Sequence, residues 1–320
     1  SQTNLDALML LTLADGQGTT DMWSDWKESL VWHLYHATAR YLLDQEGFLA
    51  RVKIERERLR RAVAEKLVHD FSEEIEAHFD YMPDNYFQAF GSDEIVAHLD
   101  LFRTLWRKMF VEEEPGYTPV LRWEPVPAEG HSIVSICTWD RQHLLASIAG
   151  AFAVASLNIL SADIFIRNDN LALDVFRVCN AEMRPVTDAK DIAAVESILR
   201  TALQEERFDF APLLAEVRRP RSLRAPEIDF PTRISIENKS HPSCTLIRVE
   251  TSDRLGLLYD LVDCLGRNNV YITLSRINTE KGAAIDTFYV TDATNGGKIT
   301  ETNRVRQLQK QLQAATLHPA

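Results

Sequence analysis

Asp253-Arg254-Leu255-Gly256-Leu257-Leu258 is the stretch from which the fold is read. A strand-like run, Thr245 to Thr251, leads into it. Leu257, Leu258, Leu261, Val262 and Leu265 follow at helical spacing. A carboxylate, a glycine and a helix start therefore meet at one turn. Glycine permits positive φ and close backbone approach. The free N–H groups of a helix start favour an anion, and a carboxylate holds an ammonium. Such a turn can grip a free amino acid by both ends. The competing reading is structural, with Asp253 capping the helix and Gly256 shaping the turn.

The same pattern occurs twice. At a shift of 113 residues Asp140-Arg141 matches Asp253-Arg254, and Leu144 and Leu145 match Leu257 and Leu258. Val134, Ile136 and Thr138 match Ile247, Val249 and Thr251, while Leu121 to Glu124 match Ile234 to Glu237. The shift falls to 112 across a hairpin, so that Ala172 to Phe176 match Ala284 to Phe288. A hairpin tip tolerates such a length change. Each copy reads strand, strand, helix, strand, hairpin, strand, helix. The closing helices run from about Ala189 to Gln204 and from Thr302 to Ala314. The leading strand is expected to take the sheet position of a missing trailing strand.

Upstream, residues 1–113 read as helical. Leu5 to Leu13 make an apolar helix, and Trp23 to Tyr35 carry aromatic bulk at helical spacing. A third helix carries a run of charge from Arg51 to Arg61, read as a solvated face. Met82-Pro83 breaks the pattern, and Ser92-Asp93-Glu94 is read as the cap of the next helix. Glu113 to Gly116 and Arg218 to Pro231 read as linkers. The expected domains are therefore 1–113, 117–218 and 230–320.

The net charge of −12 argues against a general nucleic-acid or membrane-surface binder. No apolar run is long enough to cross a bilayer and no signal peptide is visible. Cys137, Cys179, Cys244 and Cys264 form no CxxC pair, so reduced thiols in a cytoplasmic protein are expected.

The strand–Asp-Arg-x-Gly-Leu-Leu–helix pattern with its following hairpin resembles the ACT domain, a small ferredoxin-like βαββαβ module that senses amino acids. The resemblance implies an α+β protein: an N-terminal helical region followed by two ACT domains. Two tandem copies, and the phrase Ala284 to Val290, resemble the C-terminal region of the bacterial PII uridylyltransferase/uridylyl-removing enzyme family. Leu10 to Asp15 look like the family's LTxAD segment at the end of an HD hydrolase domain. Trp23 to Lys27 and Leu34 to Thr38 look like the WxxWK and LYxxT segments after it, and Met82 to Phe87 like its PxxYF stretch.

In that family one domain uridylylates the PII signal protein, the HD domain removes the UMP, and the ACT pair senses glutamine. This sequence contains no Gly-Ser-x-x-Arg-Gly-like loop, and its one His-Asp pair, His69-Asp70, reads as incidental. Both active sites are therefore expected to lie outside this chain, as is the divalent metal of the parent enzyme, and no cofactor is expected within it. Asp15 matches the last HD ligand position but lacks the other ligands. His33 and His36 read as structural.

The resemblance makes Asp140, Arg141, His143, Asn158, Asp253, Arg254, Gly256 and Leu257 the candidate ligand-binding residues. His143 stands where Gly256 stands, and Asn158 aligns with Tyr271. The first copy keeps the Asn and loses the Gly, while the second does the reverse. A pocket shared between copies would join Asp253 and Gly256 to Asn158 and bind one ligand per pair. Asp174 and Asp286, buried within strands, read as structural groups that need partners. The expected partners are an amino acid, glutamine first, and PII through the parent enzyme, with ACT sheet edges available for a homo-oligomer. Two rivals stand beside this reading: an HD-type phosphohydrolase with unrecognised ligands, and a ligand-free interaction scaffold.

Overall fold

The computed structural model describes residues 2–18, 25–67, 72–114, 117–218, 230–280 and 282–317. Trp23, Ser24, the His69-Asp70 pair, Pro115-Gly116, Lys281 and the linker from 219 to 229 lie outside them, as does the side chain of His33. The chain divides into two compact units, Ser1–Ser72 and Glu73–Ala320.

The first unit holds α1 (Gln2–Gly18), α2 (Asp25–Leu43) and α3 (Gln45–Lys66). The Tyr35 hydroxyl joins α2 to α1 by donating to Asp6 Oδ1 at 2.8 Å. His36 stacks on Trp32, ring centroids 5.7 Å apart, which is a packing role. The Asp44 carboxylate caps α3 by accepting the Gly47 N–H at 2.9 Å. The charge run of α3 forms surface pairs within the helix, Arg58 with Glu55 and Arg60 with Glu57, each at 2.8 Å. Asp15 is exposed near the end of α1.

The second unit opens with α4 (Ser72–Tyr81), α5 (Tyr86–Ala89) and α6 (Ser92–Phe110). Pro83 follows the end of α4, as its missing N–H and ring clash require. Gly91, one residue before the expected cap, precedes α6, and the Glu94 carboxylate accepts its N–H at 2.8 Å. Tyr86 is buried between two buried histidines, its hydroxyl 3.0 Å from His78 Nε2 and 2.9 Å from His98 Nδ1.

Two copies of one motif follow. The first contains β1 (Val120–Val126), β2 (His131–Trp139), α7 (Leu144–Val154), β3 (Asn158–Ile166), β4 (Leu171–Cys179) and α8 (Ala189–Ala202). A short extra helix, α9 (Ala211–Val217), comes next. The second copy contains β5 (Arg233–Glu237), β6 (Thr245–Ser252), α10 (Leu257–Arg267), β7 (Val270–Glu280), β8 (Ala283–Asp292) and α11 (Thr302–Leu317). Register follows the sequence repeat. Trp123 pairs with Val134 as Ile236 pairs with Ile247, and Ile136 pairs with Asp174 as Val249 pairs with Asp286. Even the strand irregularity recurs, between Ile159 and Ser161 and between Ile272 and Leu274.

All eight strands form one antiparallel sheet, ordered β1-β2-β4-β3-β7-β8-β6-β5. The leading strands β1 and β5 are its outer edges, each beside the strand that leads into a turn, where a trailing strand would lie. The copies meet at β3 and β7 through Ser161–Asn278, Ala162–Ile277 and Asp163–Arg276. One apolar core, including Val134, Phe152, Phe176, Ile247, Leu261 and Phe288, runs through both.

Ten consecutive residues of α7, Leu144 to Ala153, are buried. Its small residues explain how. Phe210, just before α9, lays its ring over Gly150, and Tyr259 of α10 meets that ring edge-on with centroids 5.4 Å apart. A Cβ on Gly150 would stand 2.5 Å from the ring. Gly150→Ala should therefore destabilise the chain despite its better helix propensity, by about 1–2 kcal/mol net. Urea unfolding tests this, and an unchanged or raised midpoint would contradict it.

Candidate functional site

Each ligand-turn candidate sits at the start of a helix that faces the other copy. His143 has φ 66° and Gly256 has φ 76°, so both residues before the helix are left-handed. Glycine takes this conformation freely, and histidine at some cost. The preceding aspartate is anchored identically in each copy. The Asp140 N–H donates to the Asn170 carbonyl at 2.9 Å and the Asp253 N–H to the Gly282 carbonyl at 2.8 Å, both at hairpin tips. The following arginines reach the closing helices. Arg141 Nη2 donates to the carbonyls of Ala202 and Glu205, and Arg254 Nη2 to that of Ala315 at 2.6 Å. Cations there complement the C-terminal ends of α8 and α11.

Pairing of β3 with β7 sets each turn against the other copy's helix and strand. Two related clefts result. Cleft 1 brings Asp140, Arg141, His143 and Leu144 to Gly266, Tyr271 and Asp174. Cleft 2 brings Asp253, Arg254, Gly256 and Leu257 to Ala153, Asn158, Thr279 and Asp286. All eight candidates thus line one cleft or the other, and Asn158 meets Asp253 and Gly256 in cleft 2. The clefts are of similar size and narrow, with cavity volumes of about 40 and 30 Å³, and both are partly open to solvent. Size does not distinguish them, but chemistry does.

In cleft 1 the Tyr271 hydroxyl donates to Asp140 Oδ2 from the facing strand. The His143 ring fills the gap to α10, where a Cβ on Gly266 would stand 2.4 Å from it. The protein's own side chains occupy the carboxylate and the turn. Burial pushes the Tyr271 phenol well above its usual range, and the Asp140 bond adds to the effect. Burial also raises Asp140.

In cleft 2 Asn158 replaces the tyrosine and Gly256 replaces the histidine. Asn158 donates a long bond, 3.4 Å, to the Asn180 carbonyl, and its side chain also bonds the Cys179 thiol. Burial raises the Asp253 carboxyl to about 6, against the pull of bonds from the Arg254 N–H and Thr279. The Thr279 hydroxyl also reaches the Ile159 carbonyl of the other copy at 3.2 Å. Behind them lies Asp286, raised to about 8 by burial and by the charge of Asp253. Asp286 and its counterpart Asp174 were legible only as strand carboxylates that need partners. The structure makes them the floors of the two clefts, and nothing in the sequence signals that placement. Asp286 Oδ1 accepts the Asn278 N–H at 3.4 Å, whereas Asp174 Oδ1 has no partner among the described residues.

A family model for an ACR9-like, ACT-like domain matches residues 233–320. Over its full length the chain is 29% identical to a bifunctional uridylyltransferase/uridylyl-removing enzyme from Azospirillum brasilense, of which it spans 33%. It shows the same identity to those of Rhodospirillum rubrum and Gluconobacter oxydans, with 98% of this chain matching 33% and 32% of theirs. The homologues of this chain are C-terminal regions of uridylyltransferase/uridylyl-removing enzymes. The chain spans about one third of the length of these relatives. The second copy is an ACT-like domain, and the architecture is α+β with a helical N-terminal part. The ACT-like turn is the one that carries Asp253 and Gly256. Among the described residues no helix is long and apolar enough to cross a membrane, and no three His, Cys, Asp or Glu side chains converge as a metal site.

Asp253 gives cleft 2 a pH signature. Its folded value of about 6 lies above the ordinary carboxylate value of about 4. Ionisation of the buried group therefore opposes folding. That cost is absent below pH 4, grows between pH 4 and 6, and is complete above. Asp253→Asn should stabilise the unliganded chain by about 1–3 kcal/mol at pH 8 and by little at pH 4. Urea unfolding at the two pH values measures this, and an equal effect at both would contradict it.

Proposed function

We propose that the tandem ACT-like pair is an amino-acid-responsive regulatory region that binds one effector per chain, in cleft 2. The observation that carries this reading is the chemical difference between two otherwise matched clefts. In cleft 1 a tyrosine hydroxyl satisfies the carboxylate and an imidazole fills the turn. In cleft 2 the carboxylate of Asp253, a glycine backbone at Gly256 and the amide of Asn158 stand together. Asp253 receives the ammonium of the amino acid, Gly256 admits its carboxylate to the turn, and Asn158 holds a polar side chain. Glutamine, with its amide side chain, is the effector we assign first.

Because the homologues are uridylyltransferase/uridylyl-removing enzymes, the process under control is modification of the PII nitrogen-signalling protein in the cytoplasm. The four cysteines are free thiols, in keeping with a reducing compartment. The effector acts by binding one arrangement of the two copies more tightly than another. Catalysis and its divalent metal belong to other parts of such an enzyme.

Calorimetric titration with glutamine tests the reading. The expected stoichiometry is one per chain. Asp253→Asn should weaken binding by roughly 10- to 100-fold, the worth of a charge-assisted hydrogen bond. The double variant His143→Gly, Tyr271→Asn should create a second site. Two equal sites in the unaltered protein would contradict the assignment, and so would undiminished binding by Asp253→Asn.

A further inference from the structure

Gly256 admits close approach, yet its open face is not empty. A Cβ placed on it would stand 2.3 Å from Nη2 of Arg218 and 3.4 Å from the Cβ of Ala153. Arg218 follows α9, the helix with no counterpart among the described residues of the second copy. Its guanidinium occupies the gap between turn and facing helix, the gap that the His143 ring fills in cleft 1. One gap is thus closed by the turn's own side chain, the other by a cation delivered from outside the repeat.

The bonding of that cation is incomplete. Nη2 donates to the Gly256 carbonyl at 3.1 Å and to Asp260 Oδ2 at 2.8 Å. Nε and Nη1 are buried and have no acceptor among the described residues. Asp260 Oδ2 is shared, because it also takes an ion pair from Arg254 Nη1 at 2.6 Å, while Oδ1 of the same carboxylate is buried and takes no bond among the described residues. Two guanidiniums therefore share one buried carboxylate. Buried N–H groups of a charged side chain are costly to leave unmade. The counterpart of Asp260 in the first copy is Ser147, so this arrangement belongs to cleft 2 alone.

We propose that Arg218 is a binding residue of cleft 2 and takes the carboxylate of the effector. The proposal rests on the amino-acid reading above. The zwitterion is then held by one group of each sign: Asp253 takes its ammonium and Arg218 its carboxylate. A carboxylate over Gly256 supplies the acceptor that Arg218 lacks, and charge-assisted bonds of this kind are the strong ones. Arg218 immediately precedes the segment that joins the two copies in sequence.

The test compares L-glutamine with its α-amide, which keeps the ammonium and side chain but removes the carboxylate. Both are titrated calorimetrically into the 320-residue chain and its variants. The unaltered chain should prefer glutamine over the amide by roughly 10- to 100-fold. Arg218→Gln should bind the two alike, at about the affinity the unaltered chain shows for the amide. Arg218→Lys, which keeps the charge without the planar fork, should keep part of the preference and serves as the variant if Arg218→Gln does not fold. Asp253→Asn should weaken both ligands equally, since both carry the ammonium. Arg218→Gln or Arg218→Lys with the full preference intact would overturn the proposal while leaving the amino-acid reading in place. Failure of the unaltered chain to bind either ligand would overturn both.

Discussion

The antiparallel pairing of β3 with β7 is the contact on which the functional part of the molecule depends. Three residue pairs mark it, and Ala162 and Ile277 are buried within it. This short ladder turns two four-stranded sheets into one of eight. It also places α7 beside α10 and sets each candidate turn against the other copy. Neither copy owns a complete cleft. The carboxylate and the left-handed residue come from one, and the strand-start residue and helix face from the other.

Within that frame a single backbone conformation serves two ends. His143 and Gly256 share φ and ψ to within about ten degrees. Their difference is a side chain. On the histidine turn the imidazole reaches Gly266 of the facing helix; on the glycine turn the space passes to Arg218. Tyr271 and Asn158 differ in the same complementary sense. The histidine cleft acts as a built-in comparison for the glycine one, with near-equal size and different polar chemistry.

Much of this was legible in the sequence. The shift of 113 residues located both turns, and its fall to 112 located the hairpin tips, because register within a copy is a local matter of alternation and turn chemistry. The leading strand was also readable, since Leu121 to Glu124 repeat as Ile234 to Glu237. The grouping of Asp253, Gly256 and Asn158 followed from comparing the copies position by position. What could not be read was non-local. No sequence signal says which strand edge pairs with which, so the donation of Tyr271 to Asp140 was hidden. The residues around Phe210 and Arg218 lie outside the repeat and had no partner to be compared with. Arg218 read as the start of a linker, and only the structure shows α9 packed on α7 with the Phe210 ring over Gly150.

The two copies are parts of one polypeptide, joined through residues 219–229. A binding site split between separate molecules would dissolve on dilution, and its response would track protein abundance as well as ligand. Here the halves are tethered, so the second half is always present at the high effective concentration of an intramolecular partner. The cleft therefore assembles equally well in a cell holding few copies of the chain or many. Under the proposed function, its set point is fixed by the concentration of the effector.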